Sequence, residues 1–233
     1  MTAFWALVVL AALAAVLDWA AVWSGSPRAR AVERLAKPAT LLALLAAAVV
    51  APLDHTDWSG VVRPMLLAAL AASLAGDIFL LPGGRFTAGL VSFLLGHVAY
   101  LAAFLLVPGS MPWLGVGIGA AVVLVLTVGR LLVRAVRRSG MGAPVAAYLV
   151  AICAMAVAAT HTGIPLAVVG AWLFVASDSM LGWGRFALAP AASGTGTGSG
   201  TGNAQERPDR RLSLAVITTY HAGQLLLVLA LVG

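Results

Sequence analysis

Eight apolar stretches, joined by short connections that hold nearly all the charge, leave this chain few ways to fold. About 20 apolar residues cross a hydrocarbon core as a helix. The stretches fall at 2–23, 38–52, 64–81, 87–107, 112–133, 144–160, 164–183 and 212–232, the second and sixth being short. The expected architecture is therefore all-α: a polytopic membrane protein of eight transmembrane helices, with residues 1–233 forming a single transmembrane domain. Only 9% of the residues are charged, against about a quarter in a soluble domain. That leaves too few polar side chains for a water-facing surface. The net charge of +6 does not point to nucleic acid, because the cations sit between apolar spans. The lone cysteine, Cys153, lies inside a span and reads as a small apolar side chain. No cleavable signal peptide is expected, since the first span starts almost at Met1 without a basic leader.

The cations also set an orientation. Arg28, Arg30, Arg34 and Lys37 follow span one, and Arg85 follows span three. Arg130, Arg134, Arg137 and Arg138 follow span five, and Arg185, Arg207, Arg210 and Arg211 follow span seven. These make thirteen of the fourteen basic residues, Arg63 alone lying on the other side. Positive loops stay in the cytoplasm, which places both termini outside. Within the connection at about 190–210, Ala191 to Asn203 is rich in Gly, Thr and Ser and reads as a flexible linker. Gly115, Gly117 and Gly119 in span five suggest close helix packing.

Two acids interrupt this apolar pattern in matching frames. Asp77 lies in Leu74-Ala75-Gly76-Asp77-Ile78-Phe79-Leu80 and is followed by Arg85-Phe86. Asp178 lies in Val175-Ala176-Ser177-Asp178-Ser179-Met180-Leu181 and is followed by Arg185-Phe186. An ionisable residue inside a membrane is expensive, and is by default a functional-site hypothesis. The acids are 101 residues and four spans apart. His97 and Tyr100 in span four have counterparts in Tyr220 and His221 in span eight. Lys37-Pro38 opens span two as Ala143-Pro144 opens span six. This predicts a four-plus-four parallel repeat, with halves at about 1–110 and 111–233. At about 1.5 Å per helical residue, both acids lie some 10 Å inside the cytoplasmic boundary. Asp18 falls at a similar depth, and His97 and His221 return to the same layer.

Paired carboxylates suit acid–base hydrolysis, one donating a proton while its neighbour activates water. Glycoside hydrolysis, with its oxocarbenium-like state, is the nearest template. The bland alternative makes each aspartate a helix-packing acid satisfied by hydroxyls or an arginine. His97 and His221, with Tyr220 and Gln224, read equally as site residues or as polar glue between helices. Lys37, Arg85 and Arg185 lie where a phospholipid phosphate would, or simply obey topology. His55 and His161 fall near the outer face and are expected to be solvated. No Gly-x-Ser-x-Gly elbow and no His-Glu-x-x-His motif occurs. A metal site built from His97, His221, Asp77 and Asp178 remains open at this stage.

Lys37-Pro38, Gly76-Asp77-Ile78-Phe79-Leu80, the run Phe93-Leu94-Leu95-Gly96-His97-Val98-Ala99-Tyr100, Ser177-Asp178-Ser179 with Arg185-Phe186, and Thr219-Tyr220 with Gln224 together resemble the YhhN family of lysoplasmalogenase-like membrane proteins. The resemblance covers nearly the whole chain in order. It implies an eight-helix enzyme that needs no cofactor and hydrolyses the vinyl ether bond of a lysoplasmalogen. The products would be a fatty aldehyde and a glycerophospho-ethanolamine or -choline. The implied partners are a lysophospholipid substrate and membrane lipid, in a bacterial inner membrane. Asp77 and Asp178 would be the catalytic pair. His97, Tyr100, Tyr220, His221 and Gln224 would orient water or the glycerol hydroxyl, and Lys37 and Arg85 would favour the phosphate. The long Gly/Thr linker and His221 beside Tyr220 depart from the clean pattern. Competing readings are a proton-coupled transporter, a metal-dependent lipid hydrolase and a non-enzymatic membrane component. Transporter sites tend to lie near the midplane, whereas these acids fall towards one face.

Overall fold

Among the residues described by the computed structural model (1–52, 58–81, 85–136, 142–186 and 209–232) the chain is helical. Eight helices follow one another: α1 (Thr2–Ser24), α2 (Pro27–Val50), α3 (Ser59–Phe79), α4 (Phe86–Leu105), α5 (Met111–Val136), α6 (Gly142–Thr162), α7 (Pro165–Phe186) and α8 (Arg210–Val232). Seven of them are long and apolar enough to cross a membrane. The exception is α2, whose first three turns carry Arg28, Arg30, Glu33, Arg34 and Lys37. The sequence pattern starts this helix at Pro38, but it begins eleven residues earlier. Ser26 caps it by accepting the Ala29 N–H, and Pro27 supplies a preset φ at the first helical position. Pro38 is therefore interior, and leaves the Arg34 carbonyl without its usual helical donor. Helix α6 is full length rather than short. His55, Arg137, Arg138, Arg207 and the segment Ala191 to Asn203 lie outside the described residues.

Polarity is distributed inside out. The exposed faces are apolar: Leu10, Leu13 and Leu17 on α1, Val116, Val122 and Val123 on α5, Val150 on α6. The interior holds Asp18, Ser73, Asp77, His97, His221 and Gln224. A water-soluble protein does not expose contiguous apolar faces on this scale. Together with the spans, this makes the chain an integral, multi-pass membrane protein.

The helices pack as antiparallel neighbours, α1 on α2, α3 on α4, α5 on α6 and α7 on α8. Helix α4 also packs on α6, and α8 lies against α1, α2 and α3, so the ends of the chain meet in the middle of the bundle. Glycines set two of these approaches. A Cβ on Gly223 would lie 2.9 Å from the Gly170 carbonyl oxygen, and one on Gly170 would lie 3.1 Å from the Gly223 carbonyl. Backbones of α7 and α8 thus touch, as small residues permit in membranes. Of the three glycines in span five, only Gly117 is at a close contact, against Val157 and Thr160 of α6; Gly115 and Gly119 have open space around them. Helix α5 contains one π-helical turn, Val125–Gly129, after which Leu132 and Val136 point inward. At the opposite end from most cations, the Arg63 guanidinium donates to the Ala51 carbonyl and caps α2.

Gly223→Val should push α8 off α7 and destabilise the fold by about 1–3 kcal/mol. A lowered Tm in detergent would show it; an unchanged Tm would mean the helices do not need this contact.

Candidate active site

Asp77 sits in the last turn of α3 and is fully buried. An acid there faces the negative end of the helix dipole, so it needs positive partners. Two arrive from other helices. The Lys37 ammonium of α2 is 3.2 Å from Oδ1, and the Tyr220 hydroxyl of α8 donates to Oδ2 at 2.9 Å. The ammonium is a charge partner at Oδ1 without the alignment of a hydrogen bond. Lys37 keeps 17% of its side chain exposed while Asp77 has none. The long stem lies along apolar surface with its head inward, the reverse of ordinary snorkelling. Gly76 makes room next door, since a Cβ there would lie 2.7 Å from the Phe93 ring of α4.

Asp178 lies two turns before the end of α7 and is 12% exposed. The Tyr148 hydroxyl of α6 donates to Oδ2, and the His97 Nε2 of α4 stands 3.5 Å from the same oxygen. The two acids are close enough for their charges to interact. Aromatic rings fill the space between their partners. Phe174 packs edge-on against His97 at 4.7 Å and against Tyr220 at 5.3 Å, and Phe93 meets Tyr220 at 5.8 Å. These rings pack around the tyrosine and imidazole and hold them in place.

Behind this layer, the Tyr100 hydroxyl donates to Gln224 Oε1 at 2.5 Å, and Trp19 Nε1 donates to His221 Nδ1 at 3.2 Å. Ahead of it opens a slot among α3 to α7. Leu80, Phe93, Leu132, Leu149 and Ile152 make it apolar; Asp178 and Tyr148 give it a polar spot. Arg185 lines it about 10 Å further along α7. Its guanidinium lies 5.0 Å over the Phe86 ring, which stands edge-on to Phe186. The slot reaches Asp178 but not Asp77.

The structure thus brings Asp77, Asp178, Lys37, His97 and Tyr220 into one cluster, with Tyr100 and Gln224 directly behind. His221 is separate, bound to Trp19. Arg85 is exposed at the start of α4, and no described contact joins it to the acids. The four residues considered for a metal are parted in the same way, and among the described residues no three His, Cys, Asp or Glu side chains converge as an ion would need. His161 is half-buried against Gly109 rather than solvated. The residue the motifs did not reveal is Tyr148. A signal existed: the chain has three tyrosines, all inside spans, and all three prove to be hydrogen-bond donors, Tyr100 and Tyr220 buried and Tyr148 partly so.

Lys37→Met should leave Asp77 buried without its cation, at a cost of about 3–5 kcal/mol. The double variant with Asp77→Asn should recover much of that. Urea or thermal unfolding of the three variants measures it, and additive losses would show that the pair is not coupled.

The YhhN family model matches residues 32–231. Two proteins named lysoplasmalogenase, from Mycobacterium bovis and Mycobacterium tuberculosis, are each 36% identical over 164 residues, which is 66% of this chain and 60% of theirs. The match therefore spans less than two thirds of those relatives' length. No solved structure matches. A match that runs from inside α2 almost to the end of α8, and takes in both acids and every partner that holds them, establishes that this chain belongs to the YhhN family.

Proposed function

We propose that this protein hydrolyses the vinyl ether bond of a lysoplasmalogen, releasing a fatty aldehyde and a glycerophospho-alcohol. One observation carries the reading: two interior acids, each hydrogen-bonded to a tyrosine, of which Asp178 lines an apolar slot that Arg185 lines further out. The relatives' name points to the same bond.

Hydrolysis of a vinyl ether begins with proton transfer to the carbon remote from oxygen, which leaves an oxocarbenium ion. Water adds to the charged carbon, and the hemiacetal collapses to aldehyde and alcohol. Asp178 is the proton donor in this scheme, because it is the acid that lines the slot, with Tyr148 and His97 fixing its orientation. Asp77, paired with Lys37 and Tyr220, is the carboxylate whose charge stabilises the cation. The donor's proton is replaced by the one the added water gives up. The alkenyl chain lies along the apolar walls, and Arg185 takes the phosphate. Tyr100 and Gln224 hold Tyr220 from behind. The orientation follows the cations, with the slot opening to the cytoplasm and both termini outside the bacterial inner membrane.

The internal repeat has its own support. Each acid is held by one side chain from the preceding helix, Lys37 or Tyr148. Each is also held by one from the last helix of the other half, Tyr220 or His97. A parallel duplication with α2 as an eighth span accounts for this crossed pattern.

The test is aldehyde release from alkenyl lysophospholipid by purified protein in detergent, with acyl lysophospholipid and a chelator as controls. Aldehyde from the alkenyl lipid alone, unaffected by the chelator, is expected. No aldehyde from a folded sample would favour transport. Asp178→Asn should lower kcat by about 10²–10⁴. Arg185→Gln should raise KM with kcat little changed, as expected when an interaction serves ground and transition states alike. Full activity in Asp178→Asn would remove the acid–base scheme.

A further inference from the structure

The slot leaves a second polar cluster unused. It lies among α1, α2 and α8, none of which lines the lipid slot. Asp18 of α1 is fully buried, and neither of its carboxyl oxygens has a hydrogen-bond partner. The charged side chains near it are Lys37 and Glu33, one turn apart on α2, and Asp77 of α3. His221 of α8 is also buried, and its Nδ1 accepts from Trp19. A neutral imidazole that accepts at Nδ1 carries its proton at Nε2, so Nε2 is a donor; it too is buried and without a partner. Lys37 is the charge His221 senses. An acid from α1 and an N–H donor from α8 thus face one ammonium from α2, and that ammonium already pairs with Asp77.

Buried polar groups that lack a protein partner are ordinarily satisfied by water, which needs two to four of them at one place. This cluster supplies carboxyl acceptors, an imidazole N–H and ammonium donors. Gln224 Nε2, about one turn beyond His221 on α8, is a further buried and unpartnered donor. Lys37, partly exposed, is where the cluster meets solvent. Hydrolysis consumes one water per turnover, while the lipid slot is apolar. Asp18, Trp19 and the start of α2 also precede residue 32, where the family match begins.

We propose that Asp18, Lys37 and His221 hold a water chain that enters beside α1 and α2 and delivers the hydrolytic water to the Asp77 side of the acid pair. Delivery rests on the hydrolase reading; the water site itself does not. Asp18 and His221 are positioning residues here, acting on the substrate only through water.

Two readouts separate the parts. Infrared spectra of the wild type in H₂¹⁶O and H₂¹⁸O should show an isotope-sensitive O–H stretch from internal water. Asp18→Leu and His221→Phe should lose it, and Asp18→Asn should keep it. With alkenyl lysophospholipid, the first two variants should lose kcat by on the order of tenfold to a hundredfold. Their KM should be unchanged, and Asp18→Asn should be close to wild type. His221→Phe, on another helix, decides the matter if Asp18→Leu does not fold. An unaltered isotope-sensitive band in a folded variant overturns the water site, and wild-type kcat in a variant that has lost the band overturns delivery. If the wild type hydrolyses no alkenyl lipid, the hydrolase reading falls, and the infrared band alone decides whether the water site exists.

Discussion

A buried carboxylate at the negative end of a helix, inside a membrane bundle, stands only if positive charge and a donor reach it. Lys37 and Tyr220 do so for Asp77, and most of the architecture serves that meeting. The early start of α2 puts Lys37 in the interior rather than in a loop. The return of α8 to the centre of the bundle brings Tyr220. The glycine contact between α7 and α8 lets that helix come close enough. Loss of any one of these leaves a charge in a medium that penalises it by several kcal/mol.

The second acid is held differently. Asp178 has a phenol and an imidazole as partners, with no cation at hydrogen-bonding distance, and it touches the slot. Two carboxylates of one repeat pattern therefore stand in unlike surroundings, one enclosed and cation-paired, one open to an apolar cavity. Such asymmetry is how a pair of identical groups divides acid and base roles. The ring contacts of Phe93, Phe174 and Tyr220 pack between the partners of the two acids and join them mechanically.

The apolar runs and their flanking cations determined the membrane class, the number of helices and the helix end at which the charged residues gather. They did so because hydrocarbon tolerates little else. The acids were legible for the same reason: Asp77 and Asp178 are conspicuous because few ionisable residues lie inside the spans. Their matching frames suggested partners, and the motif run from Lys37 to Gln224 pointed to the family.

Who holds each acid was decided by tertiary structure alone. Tyr148 looks like any span residue until α6 packs against α7. His221 appeared equivalent to Tyr220, its neighbour, but one residue turns a helical side chain by about 100°, so it faces Trp19 and the Asp18 cluster instead. Arg85 and Arg185 follow the acids at nearly the same interval, yet only Arg185 lines the slot, because α7 continues through it whereas α3 ends at Phe79 before Arg85 is reached. Sequence spacing gives depth along a helix and composition gives the solvent. Azimuth, and which helix stands opposite, come only from packing.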